Sequence, residues 1–403
     1  MAATGKNYAY STLITKASYL AGVVILAHTL KKQGSKYPLL VFYTPGLKAA
    51  AVKALEAEAP KLNLILKPTK MLLPRSDIKI TLIAERFGDT WTKLRVFEAV
   101  EYDAVCYLDA DMSIFRNMDE VFERADGLPS DWIAANHACV CNLDNDSWAP
   151  EDWNIENCAY TPLLHPEGLT RPTEVTPESR PTYHILNSGM FLYHPSPELR
   201  DNMLEFFNTS APLDSYDFPD QDFLADFFRN KWRSLGWQYN ALKTMRYIHP
   251  NIWRDDEVVC LHYIVDKPWT ARVPENGIAG FNGKDGVTHS WWWNDYAEWA
   301  KQREKAGADE VLSVVKQFVA KEDGSEDDDP DMRAIGSKVQ AFAGNKKDDE
   351  NAPPAKAATS ESAEGADAEK TALPNGQPPR KKVLGERGHG PVVHGQGSSF
   401  MRP

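Results

Sequence analysis

Over residues 8 to about 115 the apolar and polar positions alternate between strand-like and helical spacing. Tyr10–Thr15 predicts a strand and Ala17–Lys32 an amphipathic helix that ends near Gly34, with the apolar segment Leu20–Ala27 reading as the start of a buried helix. Pro38–Thr44 is β-rich and stops at Pro45-Gly46. Lys48–Ala59 has apolar residues three and four apart, as a helix does, and Asn63–Lys67 is a short strand. Trp91–Val100 is helical and leads into the apolar run Ala104–Met112. Such a βαβ rhythm predicts a mostly parallel α/β sheet.

From Ile133 to Tyr183 the pattern is irregular and carries Pro, Asn, Asp and Trp, which suggests a long functional excursion. Regularity returns at Ile185–Tyr193. It continues through helices at Glu198–Asn208 and Gln221–Arg229, a buried strand at Val258–Tyr263 and an aromatic-packed helix at Trp291–Ala306. Near Lys321 the composition shifts to acidic clusters and then to Ala, Pro, Ser and Gly. Residues 1–320 therefore read as one folded domain and residues 321–403 as a disordered tail. The tail ends with Arg380-Lys381-Lys382 and a Gly/His/Val segment. That segment is either solvated or a docking peptide for a protein partner.

The run Ala104–Leu108 ends in Asp109 and Asp111. Residues i and i+2 of an extended chain project from the same side, so both carboxylates can reach one hard divalent cation. Ligands of open α/β sheets sit at such strand ends, and a cation there can hold a diphosphate. A solvated turn capping a helix is the alternative reading of the same residues.

With 42% hydrophobic residues, the 403-residue chain can build a sizeable core. The formal net charge of −12 argues against nucleic acid, which needs a basic face. No apolar run is long enough to span a bilayer, and no stretch of signal-peptide type opens the chain, so a cytoplasmic location is expected. Five cysteines do not make a disulfide framework. Cys139, Cys141 and Cys158 hint at zinc, but they lack the usual ligand spacing, which favours buried thiols. No Gly-x-Gly-x-x-Gly follows the first strand, which excludes a Rossmann dehydrogenase.

Four segments combine in order: Ser11-Thr12-Leu13-Ile14-Thr15 with Tyr19; Trp91-Thr92-Lys93-Leu94; Leu108-Asp109-Ala110-Asp111; and a set comprising Asn187-Ser188-Gly189, Asp217-Phe218-Pro219-Asp220-Gln221-Asp222 and His262-Tyr263 with Lys267-Pro268-Trp269. This assembly resembles glycosyltransferase family 8, over roughly residues 8 to 305. The resemblance implies a GT-A fold, a single Rossmann-like mixed sheet flanked by helices. It also implies a UDP-sugar donor, manganese or another divalent cation, and transfer with retention of configuration. Asp109, Asp111 and His262 would be the metal ligands, two hard oxygens and an imidazole. Leu13, Thr15, Tyr19, Arg86, Asn187, Ser188 and Lys267 would bind the donor. Lys93, Asp217, Asp220 and Gln221 would serve catalysis and the sugar hydroxyls. Members of the family also commonly form homodimers. Relatives carry a longer, glycine-containing loop between the metal histidine and the lysine, where this chain has Tyr263-Ile264-Val265-Asp266.

The insert bearing His137, Cys139, Cys141, Trp153 and Cys158 resembles the galactinol synthase branch, which implies a small polyol acceptor such as myo-inositol. Tyr247 follows Tyr239-Asn240 at the distance of the self-glucosylated tyrosine in glycogenin, a rival within the family. A catalytically idle binding protein on the same fold is the rival outside it.

Overall fold

A computed structural model describes residues 5–76, 78, 89–143, 149–323, 331, 332 and 335; the remaining positions, with Arg86 and the tail segments named above, lie outside the described residues. A seven-stranded sheet runs in the order β3-β2-β1-β4-β7-β6-β8, with β1 at Tyr8–Ile14, β2 at Leu39–Tyr43, β3 at Leu64–Pro68, β4 at Ala104–Leu108, β6 at Ile133–His137, β7 at Leu186–Tyr193 and β8 at Trp232–Ser234. The first four of these strands are parallel, and β7 runs antiparallel to both β4 and β6. A second sheet of three strands, β5-β10-β9, comprises β5 at Met112–Ile114, β9 at Ala241–Leu242 and β10 at Cys260–His262.

The described helices are α1 at Leu20–Lys32, α2 at Ala49–Leu62, α3 at Pro197–Thr209, α4 at Pro219–Phe227, α5 at Met245–Ile248, α6 at Gly286–Lys305 and α7 at Asp309–Lys316. Trp91–Val100 forms no α-helix; a 3-10 helix runs from Thr90 to Glu98 instead. Two apolar cores sandwich the central sheet. One holds α1, α2, α6 and α7 together with the small sheet, and the other holds the 3-10 helix, α3 and α4.

Two expectations change in three dimensions. The helix at Ala17–Lys32 is buried over Leu20–Ala27 as expected, but burial continues to Leu30, so the amphipathic reading does not hold along its length. A helix covered on every face belongs inside a protein, and α1 lies under α2, α6 and β5. The irregular excursion begins later than its pattern suggests. Ile133–His137 is a buried central strand whose register slips by a bulge between Ala135 and Asn136. The amide nitrogen of Asn136 donates to the carbonyls of Leu235 and Gly236 at 3.1 and 2.9 Å, which satisfies the donor half of a polar side chain in the core.

The C-terminal helices are fastened by charge as well as by apolar contact. Glu58 on α2 is fully buried and accepts from Trp299 Nε1 at 3.0 Å and from Arg303 Nε at 2.9 Å on α6. Lys243 and Asp285 form a fully buried ion pair at the start of α6. Arg272 Nε donates to the carbonyl of Ala320 at 3.0 Å, and Met332, beyond the compositional shift at Lys321, is buried in the larger core.

Two buried histidines make this packing acid-sensitive. Burial pushes His28 on α1 down to about 4 despite Glu298 nearby, and burial with the Lys243 charge pushes His289 on α6 down to about 3. Both folded values lie below the unfolded value of about 6.5, so the unfolded chain binds more protons and stability is lost as pH falls through that window. The difference amounts to about 2 kcal/mol for each group at pH 5. The melting temperature is therefore expected to drop between pH 7 and pH 5, and His28→Gln to flatten that drop in thermal scans across pH. An unchanged slope in the variant would show that His28 is not the proton sink.

Candidate active site

The site forms where β4 leaves the central sheet. Leu108 ends β4, Asp109–Asp111 turn the corner, and Met112 opens β5 in the small sheet. Met112 pairs with His262 of β10, so the histidine stands beside the second aspartate. On the other side, the Asp109 N–H donates to the carbonyl of Gly189 at 2.8 Å, which brings the Asn187-Ser188-Gly189 corner of β7 against the first. The turn also needs room below it. A β-carbon on Gly22 would come within 2.4 Å of the Ala110 carbonyl oxygen, and glycine there lets α1 pack directly under the aspartates.

One ligand atom each from Asp109, Asp111 and His262 lie within 4.8 Å of one another. His262 Nε2 is 3.4 Å from Asp111 Oδ1 and 3.9 Å from Asp109 Oδ2. The other ring nitrogen, Nδ1, is 3.0 Å from Asn240 Oδ1, and the Asn240 amide donates to Asn187 Oδ1 at 2.8 Å. With Nδ1–H donating to Asn240, Nε2 keeps its lone pair for the aspartate side, the tautomer a metal ligand requires. Asn187 Oδ1 also accepts from the Gly189 N–H at 3.1 Å. A β-carbon at Gly189 would meet His262 Cε1 at 2.3 Å, so this position holds the imidazole by absence of a side chain. Two hard carboxylates and a pre-oriented imidazole fit a divalent cation.

Two ammonium groups balance the carboxylates. Lys93, almost fully buried, is 2.9 Å from Asp109 Oδ1 and in direct contact with Asp220 Oδ2. Its ammonium also donates to the Ser188 carbonyl at 3.3 Å, and Ser188 Oγ donates to Asp220 at 2.8 Å. Burial opposes its charge, yet Asp109 and Asp220 together hold its pKa above the ordinary lysine value. Lys267 pairs with Asp111 and donates to the Tyr263 carbonyl at 3.0 Å. Burial alone would raise Asp111, but Lys267 and His262 hold it well below the usual carboxylate range. Asp109 shifts the other way, raised first by burial, with Asp111 and Asp220 adding repulsion against the pull of Lys93.

The remaining expected residues surround this centre unequally. Gln221 Oε1 accepts from the Asn187 amide at 3.4 Å. Asp217 stands exposed at the rim, its N–H and that of Phe218 donating to Asp222 at 2.9 Å each. Burial pushes Asp222 up to about 6 in spite of those two donors. Thr15 lies 3.5 Å from Asp89, Leu13 is half-buried at the end of β1, and Tyr19 packs edge-on to Trp269 at 5.6 Å. Trp269 in turn donates to the Ser18 carbonyl at 2.9 Å, tying the segment after Lys267 to the one before Tyr19. Asn240 was not among the expected site residues. Its neighbourhood to His262 comes from the pairing of β9 with β10, which no local pattern announces.

The thiols are not simply separate buried side chains. Cys139, Cys141 and Cys158 converge on His249, with one ligand atom from each of the four within 4.8 Å of the others. All three are free thiols, Cys141 and Cys158 buried and Cys139 partly so, as their spacing suggested; His249 is a fourth member that the spacing did not reveal.

With this architecture and site, the chain is a glycosyltransferase of the GT-A type. It belongs to the family described as glycosyl transferase family 8, whose model matches residues 11–272. The chain is similar to galactinol synthase 4 of Arabidopsis thaliana, 27% identical over 76% of this chain and 86% of the relative. It is also similar to galactinol synthase 1 of Solanum lycopersicum, 30% identical over 65% of this chain and 73% of the relative. Among solved structures, the galactosyltransferase LgtC with donor and acceptor sugar analogs aligns with a TM-score of 0.45 at 16% identity, over 72% of this chain and 95% of that one. The glycosyltransferase GlyE of Streptococcus pneumoniae aligns at 0.44 and 17%, over 73% of this chain and 64% of that one, just under two thirds of its length. Among the described residues no helix is long and apolar enough to cross a membrane.

The short loop between His262 and Lys267 retains a backbone shape that suits glycine. Val265 has φ +65°, a left-handed conformation that costs an ordinary side chain about 1–2 kcal/mol. Val265→Gly relieves that strain and loses about 0.5–1 kcal/mol to the freer unfolded chain. Thermal denaturation of the variant is expected at or slightly above the wild-type temperature. A clear fall would mean that the valine is held without strain.

Proposed function

We propose that this glycosyltransferase is a retaining, metal-dependent hexosyltransferase that moves galactose or glucose from a UDP-sugar to a small polyol such as myo-inositol. The observation that carries the reading is the joint cluster of Asp109, Asp111, His262, Lys93, Asp220 and Lys267 at the end of β4. A divalent cation held by Asp109, Asp111 and His262 would neutralise charge on the departing nucleoside diphosphate. Lys267 would add a second positive charge for the phosphates, released from Asp111 as a ligand enters. Leu13, Thr15 and Tyr19 would bound the uracil and ribose, with Arg86 reaching the diphosphate as the family resemblance implies.

Asn187, Ser188, Asp217 and Gln221 offer hydrogen bonds to sugar hydroxyls. Asp220 is held by Lys93 and Ser188, so its charge is fixed in place and its oxygen is engaged. That favours stabilisation of oxocarbenium character, with front-face attack assisted by the leaving phosphate, over a covalent glycosyl intermediate on Asp220. For the acceptor, Trp153 of the excursion stacks parallel to Phe218, 6.3 Å away and next to Asp217. This supports a roofed acceptor side that suits a small polyol and keeps water from the donor. Similarity to galactinol synthases supports the same acceptor class.

Incubation with UDP-galactose or UDP-glucose, Mn²⁺ and myo-inositol is expected to yield a hexosyl-inositol, with no hexose added to the intact protein mass. Tyr247, on α5 with Lys284 over its ring at 4.8 Å, provides the opposing outcome. A mass gain in wild type that Tyr247→Phe abolishes would establish self-glucosylation, and absence of any donor turnover would establish an idle binding protein. Asp109→Asn or Asp111→Asn is expected to lower the rate by roughly a thousandfold. Asn240→Ala should instead weaken apparent Mn²⁺ affinity by about 10–100-fold, because it only frees His262 to turn. A Mn²⁺ titration of activity separates the two, and undiminished affinity in Asn240→Ala would remove Asn240 from this role.

A further inference from the structure

The excursion after β6 contains a second cluster with different chemistry from the candidate active site. We propose that Cys139, Cys141, Cys158 and His249 form a structural zinc site that fastens the excursion to the segment carrying α5.

The distances carry the proposal. His249 Nε2 lies 3.4 Å from Cys139 Sγ, 3.3 Å from Cys141 Sγ and 3.5 Å from Cys158 Sγ. Cys139 and Cys158 sulfurs are 4.0 Å apart. A tetrahedral zinc ion with bonds of about 2.3 Å to sulfur and about 2.0–2.1 Å to nitrogen demands edges of roughly 3.8 Å between sulfurs and roughly 3.6 Å from sulfur to nitrogen. The three sulfur–nitrogen distances and the Cys139–Cys158 distance stand near those edges, and all four ligand atoms lie within 4.8 Å of one another.

Other readings of the cluster account for it less well. A single imidazole nitrogen has one lone pair in the ring plane, so three thiols cannot all donate to it well. A disulfide needs sulfurs about 2.05 Å apart, and all three cysteines are free. Thiolate ligands are soft and suit zinc, whereas the oxygen-rich Asp109, Asp111 and His262 set suits a harder ion. On binding, each cysteine loses its S–H proton to solvent and forms one S–Zn bond, while neutral His249 supplies the fourth bond. All four positions are then filled by protein, which is the closed arrangement of a structural site.

Two of the ligands, Cys158 and His249, are also carried by anchored stretches of chain. Cys158 closes a 3-10 turn that is capped by Asn154, whose side chain accepts from the Asn157 N–H at 3.0 Å. His249 follows α5, its N–H donating to the Met245 carbonyl at 2.8 Å. Cys139 is the one partly exposed member and gives an ion a way in. Among the described residues of 138–184 there is no regular strand, so such a clasp would hold what secondary structure does not.

The test is metal analysis of the full chain produced without chelator and washed with Mn²⁺. About one zinc per chain is expected in wild type and in Asp109→Asn, and less than about a tenth of that in Cys158→Ser and His249→Ala. Cobalt exchange into wild type should give intense tetrahedral bands with thiolate-to-metal charge transfer. Removal of the metal by a chelator should lower the melting temperature, with recovery on Zn²⁺ and not on Mn²⁺. These two wild-type readouts stand even where a cysteine variant fails to fold. Zinc-free wild type without tetrahedral cobalt bands would overturn the proposal. So would zinc that is lost in Asp109→Asn and kept in Cys158→Ser.

Discussion

The buried ammonium of Lys93 is the interaction on which the site depends. It stands between Asp109 and Asp220, which come from different parts of the chain and would otherwise repel each other across a water-poor pocket. Lys267 does the same for Asp111. Three carboxylates facing two ammonium groups leave the cluster one negative charge in excess, a state that welcomes a dication and then tolerates a diphosphate. Removing the Lys93 charge would leave Asp109 and Asp220 buried and uncompensated, a strongly destabilising change in itself. The site's chemistry and the local fold are thus held by the same ion pairs.

Local pattern revealed the parts of the site that lie on one strand end. Asp109 and Asp111 were legible because an apolar strand must stop somewhere and the period of two puts them on one side. His262, Lys93, Asn187, Asp220 and Lys267 became legible only as an ordered set, since none is distinctive alone. The parallel part of the central sheet followed from the βαβ rhythm and its mixed character from the family resemblance, while the small sheet of β5, β10 and β9 followed from neither, because its strands are two or three residues long. Asn240 and His249 were hidden for a common reason. Each reaches its partners through tertiary packing, and His249 stands 91 residues beyond Cys158. The strand at Ile133–His137 was hidden by its bulge and its polar end, Asn136 and His137, both buried by partners that a sequence pattern does not display.

The loop after His262 shows how a site tolerates departure from its relatives. Val265 adopts a left-handed backbone without the glycine that makes it easy. The chain accepts local strain there while its neighbours Tyr263 and Lys267 remain anchored to Asp111.

The buried carboxylate of Glu58 decides how far the folding unit reaches. The family match stops at residue 272, yet Glu58 finds its partners in Trp299 and Arg303. A fragment cut at the family boundary would strip the cover from α1 and leave Glu58 without them. The stretch from about Pro274 to Ala320 thus belongs to the same folding unit as the matched part. A chain ending at that boundary would keep every active-site side chain and lose the clasp that holds the helices over them.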